Sequence, residues 1–235
     1  MSWIEDYNAL REDIHMGYIY EAIEAILYMR AHEEIPAEEQ WRFSEMMGMC
    51  CRVLADTEGA IAAYFEAATE DKSLRLQREH FSRYLYLCHA AAQLTPKELQ
   101  PQFAMCASLY QREEPLPPRA PVHHTRLRIG FLAPQFDHTA VYGALATHLT
   151  ERYDVYAYAL TDRTNAPTSW EAAGVHTAAL AQGTPQEQAE RIRADEIDIL
   201  IDLGGHRDGG ATLPVLTLRP APVQLAGLDA ASTTG

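Results

Sequence analysis

One histidine of this 235-residue chain stands where a loop is expected to meet a ligand. His138 follows the apolar run at 127–131 and precedes a helical pattern, with Asp137 and Thr139 on either side. An imidazole near a helix N-terminus can donate a hydrogen bond to an anionic or hydroxyl ligand. We therefore expect these three residues to contact a substrate. Ordinary loop hydrogen bonding or solvent exposure of the histidine is the alternative.

A second histidine lies in a glycine-rich loop. His206 belongs to the stretch 204–210, which follows the apolar run at 197–203. Glycine allows close approach of a backbone to a ligand. The neighbouring Arg207 has the planar guanidinium suited to phosphate, and Asp208 can orient a proton. These residues form a second candidate site, with the same alternative for the histidine.

The elements that must position these loops alternate between strand and helix. Short β-rich runs occupy 127–131, 155–160, 197–203 and 223–228, with a possible strand near 175–179 and helical patterns at 142–149 and 185–193. Such alternation predicts a Rossmann-like, mostly parallel α/β domain over 126–235. Ligands bind at the carboxyl ends of strands in such sheets. We expect both imidazoles to face one open surface, so that alanine at either position costs less than about 0.5 kcal/mol of stability.

Residues 1–112 have a helical pattern throughout, with about six helices. Gly48, Ala60 and Tyr64 stand at the small, small and aromatic positions of a 34-residue tetratricopeptide (TPR) unit. Ser2 and Thr95 each begin a capping-box pattern. The fold class expected for the whole chain is therefore α + α/β, a TPR-like helical domain followed by the α/β domain. A generic helical bundle is the alternative for the first part.

Residues 113–125 separate the two patterns and contain four prolines. Proline removes a backbone donor and favours extended conformations before it. We predict a protease-sensitive linker in which His123 and His124 are solvated and bind no metal.

Composition narrows the function classes. The net charge is −14, which disfavours nucleic acid because phosphate binding needs clustered Lys and Arg. Neither a basic, apolar leader nor an apolar run of about 20 residues is visible, so we predict a cytoplasmic protein with no membrane span. The four cysteines lack metal-ligand spacing and are predicted to be buried.

Two segments resemble the O-linked N-acetylglucosamine transferase family, including its bacterial and Spindly-type members. LRIGFLAPQFDH, ending at His138, is similar to the family's opening strand, LRIGYVSxDFxxH. DILIDLGGHRDGG, followed by RPAPVQ and TTG, is similar to DILVDLxGHTxGN, RPAPVQ and TTG of the family. The chain departs from the pattern at 226–230, where AGLDA replaces WLGYP, and in its shorter first loop.

The resemblance implies a GT-B glycosyltransferase, in which two Rossmann-like halves join a UDP-sugar to Ser or Thr of a protein. It assigns catalytic roles to His138 and His206 and places Thr233 and Thr234 in a turn facing the cleft. The chain stops after TTG, so we expect it to lack the donor-binding half. The UDP-sugar would then be a co-substrate only when a donor domain is supplied, and no cofactor would be bound firmly.

Two hypotheses remain open at this stage. The chain is the acceptor-side half of a protein O-glycosyltransferase that needs a second subunit or self-association, or it is a non-catalytic protein-binding or assembly module of the same origin. An unrelated Rossmann-type enzyme is disfavoured because no GxGxxG motif or P-loop follows any strand.

Overall fold

The computed structural model describes residues 3–32, 35–91, 95–111, 113–120, 122–136, 140–162, 166 and 168–227. The chain divides into two compact units, Met1–Leu109 and Tyr110–Gly235. The first is helical and the second is α/β, as the change of hydrophobic period predicts.

Six α-helices form the described part of the helical unit: α1 Trp3–Met16, α2 Ile19–His32, α3 Gln40–Val53, α4 Thr57–Glu70, α5 Leu74–Ala90 and α6 Pro96–Ser108. Helix α6 begins at the predicted capping box. The backbone N–H of Thr95 donates to the Glu98 carboxylate, and the Thr95 hydroxyl accepts from the Glu98 N–H. This exchange satisfies donors that have no partner within a helix. The corresponding box at Ser2 falls outside the described residues.

The tetratricopeptide positions bring α3 and α4 together. A Cβ added to Gly48 would lie 3.0 Å from Cζ of Tyr64, whose side chain is fully buried. Such a distance is tighter than nearly all real Cβ contacts, so a larger residue at position 48 would require the tyrosine ring to shift. Ala60 is fully buried in α4 as well. The close pairing of helices that a TPR-like unit requires is therefore present between α3 and α4.

A histidine is enclosed in the helical unit. His80 of α5 has no exposed surface, and its Nε2 lies 3.8 Å from the Asp71 carboxylate, beyond hydrogen-bond distance. Its ring lies 5.5 Å from that of Trp41. Burial lowers the pKa of His80 to about 4. The neutral imidazole is therefore the form that the fold accepts.

Acidification is expected to destabilise the helical unit through His80. The unfolded chain takes up this proton below about pH 6.5, but the folded unit does so only near pH 4. Stability is thus retained above pH 6.5 and lost between pH 6.5 and 4, by about 3 kcal/mol at 1.36 kcal/mol per pH unit. Urea unfolding followed by tryptophan fluorescence should show this loss in the wild type and not in His80→Leu. Parallel pH profiles for the two proteins would contradict the prediction.

The α/β unit contains all five predicted strands: β1 Arg128–Ala133, β2 Asp154–Ala159, β3 His176–Ala179, β4 Ile199–Asp202 and β5 Val223–Ala226. Its helices are α7 Ala140–Leu149, α8 Thr168–Ala172, α9 Pro185–Ala194 and α10 Leu213–Thr217. Helices α8 and α10 have only five residues each, too few for a helical period to appear in the sequence.

The strands form one parallel sheet in the order β3-β2-β1-β4-β5. Side chains of β1 alternate between the two faces, since Phe131 packs in one apolar cluster with Tyr142 and Trp170, and Leu132 packs in the other with Ile192. Both clusters are buried. The sheet is therefore covered on both faces, as expected for a parallel sheet.

The proline-rich stretch makes specific contacts with the α/β unit. The Leu116 N–H donates to the Leu218 carbonyl at 2.8 Å, and the Arg119 guanidinium donates to the Ile197 carbonyl at 3.2 Å. The prolines do produce an extended path, because the described residues of 113–125 form no helix or strand. Protease sensitivity of the stretch stays a prediction.

The expected solvation of both linker histidines is wrong for His124. His123 is exposed, but the His124 side chain is only 9% exposed. Its Nδ1 lies 2.9 Å from the Asp198 carboxylate and its Nε2 lies 3.1 Å from that of Glu196. The hydrogen bond from His124 is the largest influence lowering the pKa of Glu196. These acids stand more than 70 residues away in the sequence, so local pattern gives no sign of them.

The predictions on cysteines, metal sites and membrane-spanning helices can be compared with the residues that the structure describes. All four cysteines are free and buried there, as predicted. The described residues contain no group of three or more metal-ligating side chains placed to hold an ion. Their helices are all too short or too polar to cross a membrane.

Candidate functional site

The glycine-rich loop begins at the switch point of the sheet. The chain proceeds from β1 to β2 and β3 on one side, and then returns to place β4 on the other side of β1. Leu132 of β1 pairs with Asp202, the last residue of β4, so the loops after both strands leave the same edge. Ligands of open α/β sheets bind in the crevice at this position.

Asp202 anchors the loop that follows β4. Its side-chain oxygens accept hydrogen bonds from the backbone N–H groups of Gly204 at 2.9 Å and Gly205 at 3.0 Å. Asp202 is only 2% exposed. Burial raises the pKa of this carboxyl, and the two N–H groups, the Thr212 hydroxyl and Arg207 oppose the rise. A short polar side chain thus fixes the backbone immediately before His206.

The backbone of this loop requires glycine at several positions. Gly205, Gly209 and Gly210 have φ values of 53°, 71° and 71°, in the left-handed region. Asp208 shares this conformation with φ 51°, which is uncommon for a residue with a Cβ. Left-handed backbone in a non-glycine residue persists only where surrounding structure holds it, and it is frequent at functional sites.

The loops after β1 and β4 pack against each other. A Cβ added to Gly204 would lie 2.8 Å from Thr212 side-chain atoms and 3.1 Å from Cδ of Pro134, which follows β1. Phe136, two residues further along, is 2% exposed and packs against Trp170 at 5.2 Å between ring centroids. The loop after β1 therefore begins, at Pro134 and Phe136, beside the His206 loop.

The expected exposure of His206 is wrong. The residue is 1% exposed and lies at the start of a short 3-10 turn, Arg207–Gly210. Replacing His206 by alanine will therefore alter packing as well as chemistry. We expect it to cost more stability than a substitution at a surface site.

The two charged residues after His206 pair with each other. Nε of Arg207 lies 3.5 Å from the Asp208 carboxylate. The Arg207 side chain is 20% exposed and that of Asp208 is 54% exposed. Because Asp202 already occupies the Gly204 and Gly205 N–H groups, a phosphate approaching this loop would depend on Arg207 instead of those two amides.

Five of the predicted site residues lie outside the described residues: Asp137, His138, Thr139, Thr233 and Thr234. Their roles stay predictions. The structure brings His206, Arg207 and Asp208 together on one turn at the carboxyl edge, and it brings Pro134 and Phe136 at the start of the first loop to the same edge.

Sequence reasoning missed residues that shape this edge. The Gly227 N–H donates to the Asp202 carbonyl at 2.7 Å, and a Cβ on Gly227 would lie 3.0 Å from Oη of Tyr142. Asp202 itself carried a signal in the sequence that could have identified it, because it is a charged residue at the end of an otherwise apolar strand. Gly227 carried none, since a Cβ there would meet Cδ2 of Leu203 at 2.7 Å and the Asp202 carbonyl oxygen at 2.8 Å, contacts with residues more than 20 positions earlier in the chain.

Comparisons with known proteins indicate the family of the chain. The family model described as Glycosyl transferase family 41 matches residues 106–235. The UDP-N-acetylglucosamine–peptide N-acetylglucosaminyltransferase of Caenorhabditis elegans is 33% identical over 117 residues, covering 47% of this chain and 10% of that protein. A probable enzyme of the same name from Arabidopsis thaliana, SEC, is 29% identical over 118 residues, covering 47% and 12%.

A solved structure has a fold similar to that of this chain. A mutant O-GlcNAc transferase from Thermobaculum terrenum matches 98% of this chain and 52% of its own, with a TM-score of 0.57 and 22% identity. At this identity the likeness concerns the fold alone. The matched stretch of the chain spans only about a tenth of the length of these curated relatives.

Proposed function

The chain belongs to glycosyl transferase family 41, and from this premise we propose that it is the acceptor-side half of a UDP-sugar-dependent protein O-glycosyltransferase. It works with a donor-binding half and acts in the cytoplasm on a protein or peptide acceptor. The curated relatives are named for transfer of N-acetylglucosamine to peptides, which supports this sugar and this class of acceptor.

The position of the His206 loop is the observation that carries the proposal. The loop lies at the sheet's switch point, inside the stretch matched by the family model, and Asp202 fixes its backbone. We assign catalytic roles to His206 and His138. Substrate contacts are assigned to their neighbours and to the distal turn: Asp137, Thr139, Arg207, Asp208, Thr233 and Thr234.

The chemistry proposed for these residues depends on placement. A fixed imidazole can move a proton or orient an acceptor hydroxyl, and Arg207 can balance negative charge that develops on the diphosphate of the departing UDP. Orientation of two reactants accounts for a large part of enzymatic rate enhancement. A donor half facing this edge would hold the UDP-sugar and exclude water from the reacting atoms.

Sugar transfer is the direct test. The protein would be isolated from its native cells with any donor-binding polypeptide joined or bound to it, and incubated with radiolabelled UDP-N-acetylglucosamine and a cell extract. We expect label on protein Ser or Thr, and loss of that label in a His206→Ala variant. Absence of transfer by every such preparation would favour the alternative, a non-catalytic assembly module.

Nucleotide binding by residues 1–235 alone is expected to be weak. These residues supply one wall of the proposed cleft, and the amides of Gly204 and Gly205 are already occupied by Asp202. Isothermal titration with UDP and with UDP-N-acetylglucosamine should give dissociation constants above about 100 μM, corresponding to less than about 5.5 kcal/mol of binding free energy. A dissociation constant in the low micromolar range would contradict the proposal that nucleotide binding depends on the donor-binding half.

A further inference from the structure

The helical unit contains a pocket that the proposed reaction does not use. It lies between α1 and α2 and has a volume of about 330 Å³. Leu10, Ala25 and Met29 form an apolar floor, and the Tyr28 ring forms one wall. This size is at the lower end of the range for ligand pockets, which suits a single side chain better than a whole cofactor.

Two carboxylates border this apolar pocket. Asp6 and Asp13 are seven residues apart on α1, so two helical turns place them on the same face. Both residues are half-buried. Among the residues that the structure describes, neither carboxylate forms an ion pair or a hydrogen bond. A half-buried carboxylate without a partner favours the arrival of a cation.

The aromatic wall is held in place before any ligand arrives. His32 stacks on Tyr28 with 4.4 Å between ring centroids and 19° between planes, and its Nδ1 donates to the Tyr28 carbonyl at 3.0 Å. Tyr28 nevertheless remains 61% exposed. A tyrosine face at a site bordered by carboxylates attracts a cation through the ring quadrupole as well as through charge.

We propose that this pocket binds an arginine side chain of a partner polypeptide. The aliphatic part of arginine would cover Leu10 and Met29, while its planar guanidinium would stack on Tyr28 and donate to the carboxylates. An anionic side chain is repelled by Asp6 and Asp13. An apolar side chain would cover the floor but desolvate both carboxylates without compensation. The chain's net charge of −14 favours the approach of a basic segment.

The test uses the full chain and an acetylated, amidated peptide, Ala-Leu-Arg-Leu-Ala. Two-dimensional NMR should show concentration-dependent shifts of α1 and α2 amide signals, with weaker binding at higher salt. Replacing the central residue by lysine should weaken binding, and norleucine should abolish it. The double variant Asp6→Asn with Asp13→Asn should weaken binding of the arginine peptide about tenfold, because two charge contacts are lost.

A matched control distinguishes the pocket from general negative charge. Glu12 and Glu24 are exposed residues of the same two helices that do not line the pocket. Their double glutamine variant has the same net charge as the pocket variant and should bind the arginine peptide like the wild type. Equal weakening by both variants would overturn the proposal. So would equal binding of the lysine or norleucine peptide, a measurement that needs only the wild-type protein, or no binding of the arginine peptide.

Discussion

On the proposed function, His206→Ala is expected to lower sugar transfer by a factor of about 10² to 10⁴, the range attributed to a positioned acid–base group. The imidazole lies on the loop that leaves the sheet at its switch point, and the Asp202 carboxylate holds the preceding backbone. Alanine retains no group that can move a proton or orient a hydroxyl. The rate should be measured per folded molecule with radiolabelled UDP-N-acetylglucosamine.

Burial of His206 makes a folding control necessary. The same substitution is expected to lower the free energy of unfolding by about 1–3 kcal/mol, as for other enclosed side chains. His80→Ala provides the matched control, because His80 is also a fully enclosed histidine but lies in the helical unit. That variant should lose comparable stability and retain transfer. Full activity of folded His206→Ala would remove His206 from the catalytic machinery.

The fold follows from patterns that are local in the sequence. Apolar runs separated by helical periods predict the five parallel strands, and the Thr95 capping box places the start of α6. Gly48 and Tyr64 are 16 residues apart, close enough for a repeat pattern to reveal their contact. Each of these features depends on residues within one or two neighbouring elements.

The site was less predictable because its environment depends on distant residues. The sequence identifies the His206 loop, but it gives no sign that the imidazole is buried or that Gly204 packs against Pro134, 70 positions earlier. His124 shows the same limit, since its two carboxylate partners come from the turn before β4. Local pattern identifies the residue types in a loop and leaves undetermined what covers them.

Asp202 is the residue on which this site depends most. Asp202→Ala would leave the N–H groups of Gly204 and Gly205 without their acceptor in a buried place. An unsatisfied buried donor costs about 1–3 kcal/mol, so the α/β unit is expected to lose about 2–5 kcal/mol of unfolding free energy. That loss is a large part of the 5–15 kcal/mol typical of a folded protein. Hydrogen exchange of the two glycine amides should accelerate accordingly.

The pH dependence of Asp202→Asn provides a second, independent measurement. Because burial raises the pKa of Asp202 above its ordinary value, the folded unit holds this proton more tightly than the unfolded chain. The stabilising contribution of the protonated carboxyl is therefore complete below about pH 4 and is lost as the pH rises through the folded pKa.

Asparagine does not titrate and accepts one of the two hydrogen bonds. The stability difference between wild type and Asp202→Asn, measured by urea unfolding, should accordingly be largest near pH 4 and smaller at pH 7. A difference that grows with pH would mean that the two glycine amides outweigh burial and hold Asp202 as a stabilised anion.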